Sequence, residues 1–129
     1  MTFQMTTSQT FDDVVQQVPT ACAAGNFSVM HTYNFNEILQ SKGFPIERKA
    51  VVFEICQAKM ASKMLTHFPG FSAFMPCRIS IYEENQRTVI STMDMIPLLA
   101  TLESNPELHK EASVLFESLK VLIQNLAKG

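Results

Sequence analysis

The alternation of apolar and polar residues is cleanest from Lys49 to Cys56. Val51, Phe53 and Ile55 fall on one side, and Ala50, Val52, Glu54 and Cys56 on the other. A period of two predicts a strand with one face toward a core. The period then changes at once. Ala58, Ala61, Met64, Leu65 and Phe68 recur at three- and four-residue intervals, with Lys59 and Lys63 on the wet side, which predicts a helix that Pro69-Gly70 ends. Phe71–Met75 is apolar without a clear period and is expected as a loop folded over the core. A second alternating run, Cys77, Ile79 and Ile81 against Arg78, Ser80 and Tyr82, opens at Pro76. Glu84-Asn85-Gln86 reads as a hairpin turn into a further strand over Arg87–Met95.

The flanks extend this pattern. Residues 2–7 are expected as a first strand. Thr10 is a suitable N-cap for a helix that closes at Gly25, with Asp12 and Asp13 complementing its dipole. Phe11, Val14, Val15, Val18, Ala21 and Cys22 form the inward stripe of that helix. Pro19 interrupts it and is expected to kink or divide it, at a cost of about 3 kcal/mol. Cys22, on the stripe, reads as a buried and inert thiol. Phe27–Tyr33 predicts a strand with Phe27, Val29, His31 and Tyr33 on one face, and His31 reads as a surface or hydrogen-bonded residue. Asn34 or Asn36 caps a short helix that ends at Gly43. Pro97 starts a brief helical turn. Asn105-Pro106 then serves as N-cap and first residue of a long final helix, whose stripe runs from Leu108 through Ala112, Leu115, Leu119 and Leu122 to Leu126, widened by Phe116 and Ile123. One α+β domain over residues 1–129 is the expectation, with apolar surplus on the last helix for a dimer interface.

Composition narrows the class. The chain has 129 residues, 47% hydrophobic and 17% charged, which excludes a disordered chain. A net charge of −2, with no basic run longer than Arg48-Lys49, argues against nucleic acid or an anionic membrane as partner. The first ten residues lack the basic and apolar regions of a signal peptide, and no stretch is apolar for long enough to span a bilayer, so a cytoplasmic location is expected. Three cysteines, an odd number, argue against a disulfide scaffold. Four scattered glycines make no phosphate or dinucleotide loop, and no Gly-x-Ser-x-Gly occurs.

Candidate chemistry gathers at Cys56 and Cys77. A thiol is a weak nucleophile and ligand until it loses its proton, and Cys56 stands where a strand meets the free amides of a helix start. Cys77 follows Pro76, which restricts how the chain enters the next strand. The two sulfurs are close if these strands are neighbours at the same end, and far apart if the ends oppose. Glu54 shares the face of Cys56 and can accept a proton or pair with Arg78. His67, near the helix end, would be the general base of a Cys–His pair only if the fold returned it to a sulfur; otherwise it complements the helix dipole. Met75, Met93 and Met95 with the two cysteines form a soft-ligand set suited in kind to Cu(I) or haem iron. No Cys or His pair has the short spacing of a structural zinc site.

Phe53-Glu54-Ile55-Cys56, then Ala61, Leu65 and Pro69, then Pro76-Cys77-Arg78-Ile79 with Ile81-Tyr82-Glu83, and Met95 with Pro97, resemble the prokaryotic family catalogued as domain of unknown function 302. The likeness runs along most of the chain. It departs at Asn26, at Gln57-Ala58 after the cysteine, and at Pro19. The resemblance implies an α+β fold of the TATA-binding-protein-like kind, a curved antiparallel sheet with helices mainly on one face, often paired as a homodimer. It implies no assigned activity, and such a fold carries no DNA binding with it. Three functions fit: a small-ligand domain contacting persulfide or other sulfur compounds, a soft metal or haem through Cys56 and Cys77, supported by Glu54 and Arg78; a thiol enzyme with Cys56 as nucleophile and His67 as base; or a structural or regulatory homodimeric module.

Overall fold

The structure, a computed structural model, describes residues 1–129. Five strands form one antiparallel sheet: β1 (Thr2–Thr7), β2 (Ser28–Asn34), β3 (Ala50–Cys56), β4 (Cys77–Glu84) and β5 (Arg87–Met93), in the spatial order β1-β5-β4-β3-β2. The helices are α1 (Phe11–Ala24), α2 (Phe35–Ser41), α3 (Ala58–His67), α4 (Ile96–Leu99) and α5 (Pro106–Lys128), with a 3-10 helix at Pro69–Phe74 and a 3-10 turn after α4. No helix is long and apolar enough to cross a membrane.

Helix starts follow their caps. Thr10 Oγ1 accepts from the Asp13 amide at 3.1 Å, Asn34 Oδ1 from Glu37 at 3.2 Å and Asn105 Oδ1 from Leu108 at 3.1 Å, each satisfying an amide that the helix leaves unpaired. The α5 stripe from Leu108 to Leu126 is buried throughout. It packs chiefly on β1 and β5 and closes a core that also holds Val51, Phe53 and Ile55 of β3 and Ile79, Ile81 and Ile90 of the central strands. Helix α1 adds Val14, Val18 and Cys22 to the same core. The expected α+β architecture, an antiparallel sheet with helices packed mainly on one face and a long final helix, is the one observed.

The β4–β5 hairpin turns through Asn85 and Gln86, at φ 52° and 61°. Two consecutive left-handed residues match the right-handed twist of the strands they join. Asparagine tolerates that conformation; glutamine gains nothing from it. Gln86→Gly is therefore expected to raise stability by about 0.5–1 kcal/mol, the removed strain exceeding the added chain entropy. Urea unfolding measures it, and an unchanged or lower midpoint would contradict the strain argument.

Several local expectations are corrected. Of the two outcomes expected at Pro19, a kink or a division, the division does not occur: α1 continues to Ala24 with Pro19 exposed on its outer side. The strand over Phe27–Tyr33 does not keep one face. A bulge between Val29 and His31 pairs Val29 with Ile55 but His31 with Glu54, sending the two side chains to opposite sides. On α3 the inward residues are Met60 and Met64, while Leu65 is 48% exposed, because the methionine pair four residues apart sets the packed face. Phe71–Met75 is mostly 3-10 helix, with Phe71 buried. Strand β5 ends at Met93, two residues earlier than the pattern predicts.

Candidate functional site: a cavity at a fork in the sheet

Strands β4 and β5 pair from Glu84↔Arg87 down to Ser80↔Ser91, where their ladder ends. Beyond that point β4 stays with β3 as far as Ile55↔Cys77, and β5 stays with β1 as far as Thr2↔Met93. The sheet therefore splits. Thr92 Oγ1 donates across the split to the Arg78 carbonyl at 2.7 Å, supplying a side-chain bond where the backbone ladder has stopped.

A cavity of about 370 Å³ occupies this fork, and 15 of its 22 lining residues are hydrophobic. It draws on both sides of the sheet. Ser80, Ser91 and Arg78 line it from the face that the long helices leave free, while Met60 and Met64 of α3 and Leu119 of α5 line it from the core side. Phe71 and Phe74 of the 3-10 helix, packed edge to face with centroids 5.5 Å apart, form another wall. The Met75–Pro76 peptide is cis.

Cys56 and Cys77 both line this cavity. They lie on neighbouring strands at the same end, which answers the question of opposed ends. Yet Cys77 pairs with Ile55, so the alternation sends Cys77 to the core face and Cys56 to the other. Two cysteines offset in this way need backbone movement to form a disulfide. Cys56 ends β3 and directly precedes Gln57, the N-cap of α3, whose side chain makes no cap bond and donates instead to the Gly25 carbonyl at 3.0 Å. The first amides of α3 thus have no side-chain acceptor.

Burial pushes the Cys77 thiol up to about 11, helped by the nearby charge of Cys56 and opposed by the Arg78 guanidinium. Cys22, buried in the core and away from the cavity, is also raised to about 11 by burial. Glu54 and Arg78 face each other across β3 and β4, with Oε2 and Nη2 3.5 Å apart. Tyr33 donates to Glu54 Oε1 at 2.8 Å, and this bond is the main reason its hydroxyl titrates above the ordinary value. Arg78 lines the cavity and Glu54 does not.

His67 is not brought to either sulfur's cavity. It is exposed at the far end of α3, ten residues along from the helix start beside Cys56. No imidazole or carboxylate lines the cavity at all; Arg78 is its only charged residue. No three His, Cys, Asp or Glu side chains come together in a group that could hold a metal ion. Met75, Met93 and Met95 do line it, and so do Met60 and Met64, making five of the eight methionines. Sequence reasoning missed the last two as site residues, although their four-residue spacing on the helix after Cys56 is a signal for it. It also passed over Ser80 and Ser91, which the hairpin centre at Asn85–Gln86 sets opposite one another.

These features define a small α+β domain built around a split-sheet cavity flanked by two thiols. The chain belongs to the family described as Domain of unknown function DUF302, whose profile matches residues 3–126. It is similar to an uncharacterized conserved DUF302 protein from Bacillus stearothermophilus, known from a crystal structure. The TM-score is 0.84 at 21% identity, over 98% of this chain and 97% of that one, a likeness of fold. No curated protein matches the chain.

Proposed function

We propose that this chain is a cytoplasmic small-ligand-binding domain whose ligand lies in the fork cavity and meets Cys56 and Cys77. The cavity itself carries the reading: its volume falls within the roughly 300–1,000 Å³ of small-molecule sites, its lining is mostly apolar, and its few polar groups converge. Binding is favoured over acid–base catalysis by histidine or carboxylate because neither side chain lies on its wall. Cys56, beside the open start of α3, is the sulfur that reacts or ligates first. Cys77, held protonated by burial, responds only to a partner that displaces its proton, such as a soft cation or a sulfur electrophile. Glu54 and Arg78 support the site by charge. A haem would take a Cys or Met ligand here, since no histidine lines the cavity.

The test is intact mass and visible absorption of protein purified without reductant, followed by iodoacetamide on the native fold. The expected results are a bound species, seen as added sulfur, a metal-dependent mass or a Soret band, and alkylation of Cys56 at least tenfold faster than of Cys22 or Cys77 at about pH 7.5. A clean mass together with Cys56 as slow as Cys22 would overturn the proposal.

A further inference from the structure

We infer that the cavity takes an amphipathic anion, an aliphatic carboxylate whose head rests on Arg78, Ser80 and Ser91 and whose chain passes through the fork into the core side. The inference rests on the cavity being a ligand site and concerns an occupant held there by charge and apolar contact rather than through the thiols. Arg78 is the only charged residue on the cavity wall, so the site favours a neutral or negative occupant. Its side chain is 52% exposed, at the mouth, and a single contact to Glu54 at 3.5 Å leaves most of its donor fork unused.

Two residues along β4, on the same face, stands Ser80, and Ser91 sits directly opposite it at the vertex. Thr92 commits its hydroxyl to the Arg78 carbonyl and Gln57 its amide to the Gly25 carbonyl. The Ser80 and Ser91 hydroxyls have no protein partner, and neither oxygen is sealed from the cavity. A guanidinium and two free hydroxyls on one face form a donor set for a carboxylate. Past the vertex the lining changes to Met60, Met64, Met95 and Leu119, with no charge. Methionine side chains adapt to a flexible hydrocarbon better than branched ones do. A polar mouth and a sulfur-rich apolar interior, joined through the split, match a ligand with one charged end and one aliphatic end.

Decanoate and 1-decanol, equal in chain and different in charge, test this on full-length protein labelled with 13C at the methionine methyls. Decanoate is expected to shift the Met60, Met64 and Met95 resonances saturably, and 1-decanol to bind about tenfold or more weakly. Arg78→Gln should erase the difference and Arg78→Lys should keep most of it, with the unliganded methionine spectrum of each variant reporting the fold. If Arg78→Gln fails to fold, Ser80→Ala with Ser91→Ala is the substitute and should narrow the preference for decanoate. Equal binding of both probes, or a preference that survives in a folded Arg78→Gln, overturns the charged-head assignment while leaving the cavity a ligand site. Absence of any shift with either probe overturns the aliphatic assignment as well; the thiol-dependent binding proposed above is judged separately by its mass and alkylation results.

Discussion

Raising the pH from about 9 to about 11 is expected to remove roughly 5 kcal/mol of folding stability, shared between Cys22 and Cys77. Burial raises both thiols from 9.0 to about 11 in the folded chain. Below pH 9 both states hold these protons, and folding is unaffected. Between 9 and 11 the unfolded chain releases them while the native chain keeps them, so stability falls by about 1.4 kcal/mol per pH unit for each thiol. Above 11 the contribution is gone. Set against the usual 5–15 kcal/mol for a domain, this is a large share. Urea unfolding at several pH values measures the slope. Between pH 9 and 10, before the raised Tyr33 hydroxyl adds to the fall, Cys22→Ala and Cys77→Ala should each lose about half of it, and slopes parallel to the native protein's in both variants would refute the assignment to these thiols.

Leu119→Ala is expected to cost about 3–5 kcal/mol, toward the upper end of such core truncations. Leu119 is fully buried on α5 and also forms part of the cavity wall. Neighbours normally lean in to fill part of a deleted side chain's space. Here one side of Leu119 is already empty, so little can collapse and the void merges with the existing cavity. Val121→Ala, half exposed on the same helix, is the control and should change stability by no more than about 0.5 kcal/mol. The urea midpoints of the two variants decide it; a Leu119→Ala loss near 1 kcal/mol would mean that the wall relaxes after all.

The elements were legible in the sequence wherever one chemical pattern determined them. The stripe of α5, the alternation of β3, the caps at Thr10 and Asn105 and the turn at Asn85–Gln86 each had a local cause and were read correctly. Failures came where the cause was not local. The bulge near Met30 depends on how β2 meets β3, and a strand read alone shows only its own alternation. On α3 two apolar stripes compete in the sequence, and packing against the rest of the chain chose the one that turns Met60 and Met64 inward and leaves Leu65 in water. The thiols were picked out as a pair, and their strands are neighbours. Their opposite faces required the Ile55↔Cys77 register, which no single-strand pattern contains. The fork was invisible for the same reason: it exists because β4 and β5 each keep a different outer neighbour, a choice made by the whole sheet.

The position of α5 in chain order bears on how the molecule is made. On a ribosome, every strand emerges before α5, and the part of the sheet that α1 does not cover would offer its apolar face to water or to a chaperone until residues 106–128 were synthesised. Closure of the fold therefore waits for α5 to emerge, and a stalled or truncated product ending before Pro106 is a sticky, half-finished sheet.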